Sequence, residues 1–224
     1  TRNAGARNVY LIEAPMAAAI GVRLPVQEAA GNMIVDIGGG TTEVAIISLG
    51  GIVNSRSLRT AGDKLNEDII QYARSEFNLL LGEKTAEDIK IAIGSAYPLG
   101  EKLTAVMRGR DLLTGLPKEV EVDDKDIRKA LSRSVKVLVE AVKGSIEQAP
   151  PELVADIMER GIILVGGGSL LRGLDQLVAE ETQMPVRVAE DPLTAVVRGA
   201  GVVLEDVDAL KDVLVSTQYE EPLR

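Results

Sequence analysis

The spacing of apolar residues changes twice along the chain, from a period of two to a helical period and back. Residues 33–59 hold three β-rich runs, joined first by the glycines at 38–40 and then by those at 50–51. Such runs joined by glycines are typical of hairpins, so this part predicts an antiparallel meander. An earlier run, residues 9–12, predicts a further strand. Pro15 then starts a small-residue helix that another backbone can approach closely.

After Thr60 the apolar residues recur with a period of about 3.6, which indicates helices. The face of the first helix is predicted to consist of Leu65, Ile69, Ala73, Phe77 and Leu80. In the second helix Thr85 is the predicted N-cap and Asp88 completes a capping box. This helix turns Ala86, Ile89 and Ile93 inward and is predicted to end at Gly94.

A strand pair at residues 103–107 and 119–122 is predicted next, on either side of a loop. Asp123 or Asp124 then caps a long helix, which stops before Pro150 and Pro151. The apolar face of this helix is formed by Ile127, Leu131, Val135, Leu138, Val142 and Ile146.

Sheet character returns at residues 161–165, directly before a second glycine run at 166–168 and Ser169. The inward positions of the helix predicted to follow are Leu170, Leu174, Leu177 and Val178. The loop amides would then lie at a helix N-terminus, where the helix dipole favours anions. The run lacks the Lys-Ser/Thr pair of a Walker loop.

The remaining residues predict one more strand and one more helix. The strand covers residues 185–189, and Asp191-Pro192 starts a helix that runs to about Asp206. In that helix Gly199 and Gly201 are predicted to leave one side without bulky side chains, so that another element can pack closely. Residues 211–224 are polar and are predicted to be frayed.

Together these elements predict an α/β fold in two parts. Residues 1–60 and 147–224 would form a split sheet subdomain, and residues 61–146 an inserted, mainly helical α+β subdomain. The chain begins without Met and enters a predicted strand almost at once, so we expect it to be a piece of a longer protein.

The amino-acid composition of the chain excludes or disfavours several classes of function. The chain has no Cys and no His, which excludes disulfides, Cys/His zinc sites and catalytic His or Cys. Lys and Arg total 25 against 34 Asp and Glu, and aromatic residues are 2%, which disfavours a nucleic-acid surface. No apolar run approaches the length of a membrane span, and the N-terminus does not have the pattern of a signal peptide.

The first glycine run carries candidate chemistry. Its residues leave backbone N–H groups uncovered, as a phosphate requires, and threonine hydroxyls follow directly. Asp36 lies on the preceding strand, where a hydrated metal ion could sit between its carboxylate and a bound anion. A plain glycine hairpin with a solvated acid is an equally good interpretation of this segment alone.

Two glycine runs, each directly after an apolar strand and separated by a helical insertion, are harder to explain as ordinary turns. Nucleotide binding between two lobes accounts for both: one loop would hold phosphates and the other the α-phosphate or the nucleoside end. We therefore predict that both loops reach the same cleft.

Six segments give the chain a specific resemblance. They are IEAPMAAAIG, DIGGGTTEVAII, TAEDIKIAIGSAYP, RGRDLLTGLPK, PPELVADIMERGIILVGGGSLLRGL and VAEDPLTAVVRGAG. In order and spacing they resemble MreB, the family of bacterial actin-like proteins that sets rod cell shape. DIGGGTT is shared across the actin, sugar-kinase and chaperone superfamily, whereas AEDPLTAV and PPELVADIMERG are more particular to MreB.

The resemblance implies an actin-like ATPase fold, with a ribonuclease-H-like sheet subdomain, and ATP or ADP with Mg as cofactors. The phosphate loop would comprise Gly38, Gly39, Gly40 and Thr41. Thr41 would orient the attacking water, and Asp36 would hold magnesium through water. The nucleoside pocket would be lined by Glu87, Asp88, Ile89 and Lys90, and closed by Gly167, Gly168, Ser169 and Leu170. From periodicity alone, residues 87–90 are a solvated helix face.

Two departures from the family affect the expected chemistry. The family's first phosphate loop belongs to a first lobe that this sequence does not contain. The family also usually carries a water-activating Glu at the position of Ala14, and the adjacent Glu13 would point in a different direction. A positioned general base is worth roughly 10²–10⁴-fold in rate, so we expect binding with slow hydrolysis and leave enzyme activity open.

The function expected from the resemblance is that of a cytoskeletal protein. It would form ATP-dependent head-to-tail filaments in the cytoplasm, at the inner face of the membrane, that organise cell-wall synthesis and maintain rod shape. Its partners would be further copies of itself, the membrane-linked protein RodZ and the elongation complex, with no nucleic acid. Membrane contact would come only through the first lobe or through partners.

Three other functions are alternatives to this one. A sugar-kinase-like phosphotransferase would need a substrate base in the cleft, for which only Glu13 and Asp63 are candidates. A chaperone-type ATPase would need a long region after Gly201, where only about twenty residues remain. A hydrolysis-deficient or nucleotide-free scaffold is favoured modestly by Ala14.

Overall fold

The computed structural model describes residues 2–215 of the chain. In chain order the helices and strands are α1 Ala14–Gly21, β1 Asn32–Ile37, β2 Thr42–Ser48, β3 Gly51–Leu58, α2 Gly62–Phe77, β4 Leu79–Leu80, α3 Glu83–Ile93, β5 Thr104–Asp111, β6 Pro117–Asp123, α4 Asp124–Glu147, α5 Pro151–Arg160, β7 Ile162–Val165, α6 Leu174–Thr182, β8 Val186–Val188 and α7 Ala195–Glu205. No helix within residues 2–215 combines the length and the apolar character needed to cross a bilayer.

The larger sheet has five strands in the order β3-β2-β1-β7-β8. Strands β1 to β3 form the predicted antiparallel meander, whereas β7 runs parallel to β1 with Asp36 opposite Val165. Parallel neighbours end at the same edge of a sheet. The glycine runs that follow β1 and β7, at residues 38–40 and 166–168, therefore leave the sheet side by side. This is how segments distant in sequence come to share a cleft.

The smaller sheet, β4-β5-β6, lies within the segment that also contains α2, α3 and α4. The inward residues predicted for α3, Ala86, Ile89 and Ile93, are buried as expected. Helix α4 starts as predicted, because Asp123 accepts hydrogen bonds from the N–H groups of Lys125 and Asp126 while Asp126 completes a capping box. The buried apolar side chains of α3 and α4 pack with those of β1, β2 and β7 in one core cluster.

Helices α1 and α7 pack against each other on the opposite face of the larger sheet, above a second core cluster. A Cβ on Gly21 would overlap the carbonyl of Ala195, and a Cβ on Gly199 would overlap the carbonyl of Ala17. The two backbones therefore touch, as the small residues of α1 indicated. Gly201 does not contribute to this contact, contrary to prediction, because nothing lies within 4 Å of its missing Cβ.

Several predicted boundaries are wrong for local reasons. Residues 9–12 form no strand, and the last described residue, Val215, donates a hydrogen bond to the Leu11 carbonyl at 2.9 Å. Helix α2 ends at Phe77, because Asn78 adopts a left-handed conformation, and Leu80 becomes an exposed strand residue. Thr85 lies inside α3, whose N-cap is Gly82 and whose start has no side-chain cap.

The part after Pro150 differs further from prediction. A helix that the sequence interpretation missed, α5, starts at Pro151 itself, since proline is well tolerated in a first helical turn. Residues 211–213 form a short 3-10 turn in which Val213 is buried, so the frayed end does not begin there. The rest of the predicted frayed end, residues 216–224, lies outside the described part of the chain.

Candidate functional site

The first glycine loop is a hairpin turn tied to the start of helix α2. The Gly38 N–H donates to the Thr41 carbonyl at 2.9 Å, which closes the turn. The carbonyls of Gly38 and Gly39 accept hydrogen bonds from the N–H groups of Gly62 and Asp63, at 3.0 and 2.8 Å. These hydrogen bonds fix the turn against the start of α2. The N–H groups of Gly39 and Gly40, in contrast, have no acceptor within residues 2–215.

The second glycine loop is more tightly packed. The N–H of Gly166 donates to the Pro192 carbonyl at 2.8 Å, and the buried Ser169 hydroxyl donates to the Gly166 carbonyl at 2.6 Å. Gly166 has φ of 78° and ψ of 164°, a conformation that is essentially restricted to glycine. A Cβ on Gly168 would overlap the side chain of Ile37 on β1. The loop therefore lies against the end of β1.

One prediction about this loop is wrong. Its amides do not lie at the N-terminus of an α-helix, because residues Gly167–Leu170 form a four-residue 3-10 helix and α6 starts only at Leu174. Leu170, predicted to face inward, is 56% exposed. The N–H groups of Gly167 and Gly168 donate to no acceptor within the described chain, so any attraction for an anion comes from these N–H groups themselves.

Both loops border a single cavity of about 590 Å³. Its walls come from the first loop, the start of α2, the outer side of α3 and the second loop with the residues that follow it. The lining residues are Gly38, Gly39, Gly62, Asp63, Leu65, Glu87, Lys90, Ile91, Gly167, Gly168, Leu170, Leu171, Arg172 and Leu193. The predicted common cleft therefore exists, and its volume lies within the range of small-molecule sites.

Helix α3 brings only part of its predicted segment to the cavity. Glu87 and Lys90, three residues apart, lie on the cavity side. Asp88 is exposed and pairs with Lys84 at 3.7 Å, and Ile89 is buried in the core. Helical periodicity accounts for this division, since four consecutive residues cannot share one face.

Lys90 is the one cation on this helix that reaches the cavity. Its ammonium group donates to the Gly62 carbonyl at 3.0 Å, so it lies directly beside the first glycine loop. Burial lowers the pKa of Lys90, partly opposed by the nearby carboxylates of Glu87 and Asp63. The cavity therefore holds a partly desolvated cation with two acids close by.

Asp36 and Glu43 are cross-strand partners on β1 and β2, at the base of the first loop. Burial raises the pKa of Asp36, whose carboxylate has no hydrogen-bond partner in residues 2–215. Burial also raises the pKa of Glu43, with smaller contributions from Asp36 and Glu13. A Cβ on Gly166 would lie 2.5 Å from an Asp36 oxygen, so this carboxylate touches the second loop as well.

Other predicted site residues lie outside the cavity lining. Gly40 and Thr41 are exposed at the tip of the hairpin, next to Gly39. Ala14 is the first residue of α1 and borders a separate depression together with Glu13 and Glu43. Ser169 is buried and supports the second loop from behind.

The lining residues that were not predicted as part of the nucleotide site are Gly62, Asp63, Leu65, Ile91, Leu171, Arg172 and Leu193. Arg172 donates to the Ile91 carbonyl at 2.7 Å and accepts at its own carbonyl from the Ala96 N–H, which ties the second loop to the end of α3. Ile91 and Leu193 are 63% and 68% exposed, so both offer apolar surface to a ligand in the cavity. The available signal was Ile91 on the polar side of α3, one residue beyond Lys90.

The cavity thus combines polar and apolar groups. Uncovered amides and Lys90 line it, with Asp36 nearby. The exposed side chains of Ile91, Leu170 and Leu193 add apolar surface. Amides suit phosphate oxygens, and flat apolar surface suits a ring. No set of three acidic side chains within residues 2–215 is placed to hold a metal ion on its own.

Comparison with known proteins gives the same fold. The chain matches the MreB/Mbl protein family over residues 1–212. It is 56% identical over 207 residues to the cell shape-determining protein MreB of Escherichia coli K12, covering 92% of this chain and 60% of that protein. It is 50% identical to the cell shape-determining protein Mbl of Bacillus subtilis 168, covering 92% of this chain and 62% of the relative.

Solved structures superpose closely on the described fold. MreB5 of Spiroplasma citri bound to ADP gives a TM-score of 0.89 at 38% identity, over 95% of this chain and 64% of that one. The same protein bound to AMPPNP gives a TM-score of 0.90 at 38% identity, over 93% and 62%. The MamK double helical filament, at 23% identity and a TM-score of 0.72 over 87% and 59%, supports the fold alone.

The five-stranded sheet, the inserted segment and the cleft between two glycine loops are those of an actin-like protein. Within that class the chain belongs to the MreB/Mbl family. It spans about 60% of the length of the curated relatives that it matches.

Proposed function

We propose that this chain is the second lobe of an actin-like cytoskeletal protein that binds ATP or ADP in the cleft between its two glycine loops. The observation that carries the proposal is the shared 590 Å³ cavity, with uncovered amides from Gly39, Gly167 and Gly168 at its edge. The ADP and AMPPNP complexes of the related MreB5 protein support the choice of ligand.

Within the cavity we assign the phosphates to Gly38, Gly39, Gly40 and Thr41, and the nucleoside to the α3 side. Glu87 and Lys90 would contact the nucleoside, and Gly167, Gly168 and Leu170 would close over it. Asp88 and Ile89 act at most indirectly, since one is exposed and the other is in the core. Ser169 would hold the second loop in shape through its bond to Gly166.

The residues present suit a magnesium ion bound with the nucleotide. Mg²⁺ usually takes one or two carboxylates together with phosphate oxygens and water, and Asp36 supplies one half-buried carboxylate beside both loops. We assign Asp36 to hold the ion through water. When bound, the ion would neutralise phosphate charge.

Ala14 leads us to propose slow hydrolysis. The methyl side chain at the start of α1 cannot accept a proton, and the neighbouring Glu13 is exposed. Thr41 would still orient a water molecule. A single-turnover assay on the full-length protein tests this: we expect Ala14→Glu to hydrolyse ATP at least tenfold faster, in line with the value of a positioned base. Equal rates for the two proteins would contradict the proposal.

At the level of the whole protein we propose ATP-dependent filaments, built from protomers stacked head to tail, that organise cell-wall synthesis and maintain rod shape. The relatives are cell shape-determining proteins, which supports this role. We place the protein in the cytoplasm at the inner face of the membrane, with RodZ and elongation proteins as partners. The division into residues 1–60 with 147–224 and residues 61–146 stays a prediction.

Sedimentation of the full-length protein tests filament formation. We expect pelleting with ATP and magnesium, and little pelleting without nucleotide. Failure to pellet at any protein concentration, together with nucleotide binding, would favour the phosphotransferase. Failure to bind nucleotide would favour the scaffold.

A further inference from the structure

A second pocket, about half the volume of the cavity between the glycine loops, lies at the open edge of the larger sheet. Its volume is about 320 Å³, and it is enclosed by the end of α1, by β8 and by α7. Its charged lining consists of Arg23, Arg187, Arg198 and Glu190. The pocket therefore has three arginines and a single acid in its lining, in a chain whose net charge is −9.

The arginines approach the pocket from three different elements. Arg187 lies in register with Ile163 on the neighbouring strand, and Ile163 belongs to the core under α1 and α7. Register partners point to the same face, so Arg187 rises on the side of those helices. Arg23 comes from just beyond the end of α1, and Arg198 from the second turn of α7.

These guanidinium groups have almost no partners. Within residues 2–215 Arg23 and Arg187 make no ion pair and no side-chain hydrogen bond, and Arg198 donates only to the Asp191 carbonyl at 3.1 Å. Arg23 also has φ of 60°, a left-handed conformation that costs an L-residue roughly 1–2 kcal/mol. Nothing in the fold explains an arginine at this position rather than a glycine.

The adjacent strand, β8, has an edge that pairs with no other strand within residues 2–215. Strand β8 is the last strand of the sheet, and its neighbours Pro185 and Ala189 bond to β7 through the Pro185 carbonyl and the Ala189 N–H. Backbone groups alternate in direction along a strand, so those of Val186 and Val188 point away from β7. Such an edge can accept an extended peptide as an additional strand.

We propose that this edge binds an extended acidic segment of a partner protein, whose backbone pairs with β8 and whose carboxylates bind Arg23, Arg187 and Arg198. The planar guanidinium fork matches a carboxylate in two parallel hydrogen bonds, which suits three arginines around a small pocket. Hydrogen bonds between the β8 edge and the backbone of the partner segment would supply affinity. The arginines would select segments with acidic side chains.

Fluorescence anisotropy tests the proposal with the full-length protein and a labelled peptide of alternating Glu and Thr. We expect Arg187→Gln and Arg23→Gly each to weaken binding about tenfold, the loss typical of a charge-assisted hydrogen bond. Glycine suits the left-handed backbone at position 23, so that variant keeps the fold. The matched control is Arg74→Gln, the same charge change at an exposed position on α2, which we expect to bind normally.

Two altered peptides separate the contributions. Replacing Glu by Gln should abolish binding, and a central proline, which lacks the N–H needed for strand pairing, should weaken it at least tenfold. Equal binding of the proline peptide, or unchanged binding by Arg187→Gln with normal thermal unfolding, would overturn the proposal. So would vesicles of anionic lipid that bind through Arg187 when the peptide does not, since the ligand would then be a membrane.

Discussion

The two glycine loops resemble each other in sequence but differ in why they contain glycine. In the first loop, a Cβ on Gly39 would meet only the Asp63 carboxylate at 3.5 Å, an ordinary contact, and Gly39 has no positive φ. In the second loop, Gly166 has a positive φ and a Cβ there would overlap the Ile37 carbonyl. The fold tolerates a side chain in the first loop and excludes one from the second.

The difference separates two requirements that a glycine motif combines. In the second loop, glycine permits the close packing of β7 against the end of β1, which is a requirement of the fold. In the first loop, packing does not require it, so the bare backbone is left for a ligand to approach. Substitutions in the two loops should therefore fail in different assays.

The largest effect is expected from Gly166→Ala. The change forces a side chain into a glycine-only conformation and against the backbone of Ile37, at a combined cost of about 3 kcal/mol in the free energy of unfolding. Urea denaturation followed by circular dichroism measures it. A loss below about 1 kcal/mol would show that the contact between the loops relaxes easily.

Next in size is the effect of Gly39→Ala, which should appear in binding and not in stability. A methyl group beside the uncovered amides should obstruct a phosphate, and we expect about tenfold weaker binding of ATP by isothermal calorimetry, or about 1.4 kcal/mol. Ligand-free thermal unfolding should change little. If Gly39→Ala instead unfolds like Gly166→Ala, the distinction between the loops is wrong.

A smaller effect is expected from Asp36→Asn. This change should raise the stability of the ligand-free protein and lower the stabilisation that MgATP gives. Because burial raises the pKa of Asp36, the ionised carboxyl disfavours the ligand-free fold, and stability falls as pH rises above its ordinary value of 3.8. The uncharged amide of the asparagine variant does not ionise, so the variant does not lose this stability as pH rises. We therefore expect a melting temperature higher by a few degrees at pH 7 and unchanged near pH 3.

The same variant should lose the stabilisation that magnesium and ATP give together, because the carboxylate that would hold the ion is gone. Differential scanning fluorimetry with and without MgATP measures both halves of the prediction. The control is Asp88→Asn on the exposed side of α3, which should match the unmodified protein in every condition.

The smallest effect is expected from Leu170→Ala. Since Leu170 is 56% exposed, its removal should change the free energy of unfolding by no more than about 0.5 kcal/mol. It lines the cavity with apolar surface, so ATP affinity should fall by a few fold. Unchanged affinity in a calorimetric titration would remove Leu170 from the nucleotide contacts.

The sequence by itself determined the order and type of most elements. Alternating and helical periods identified the meander β1 to β3 and the helices α2, α3 and α4, and Asp123 marked the start of α4 correctly. These features are local, since the period of apolar residues and a cap within four residues act before any distant contact forms. The resemblance to the MreB family was likewise read from the sequence alone, in six segments spread along the chain.

Only the tertiary structure showed that the fold requires glycine at position 166 but not at position 39, and which side chains reach the cavity. The parallel pairing of β1 with β7 brings Gly38 and Gly167 together across 129 positions, and no local pattern specifies that pairing. It also decided that the side of α3 carrying Glu87 and Lys90 faces the cleft, and that Arg172 and Leu193 join them. Such positions depend on which elements pack side by side, which is a property of the whole chain.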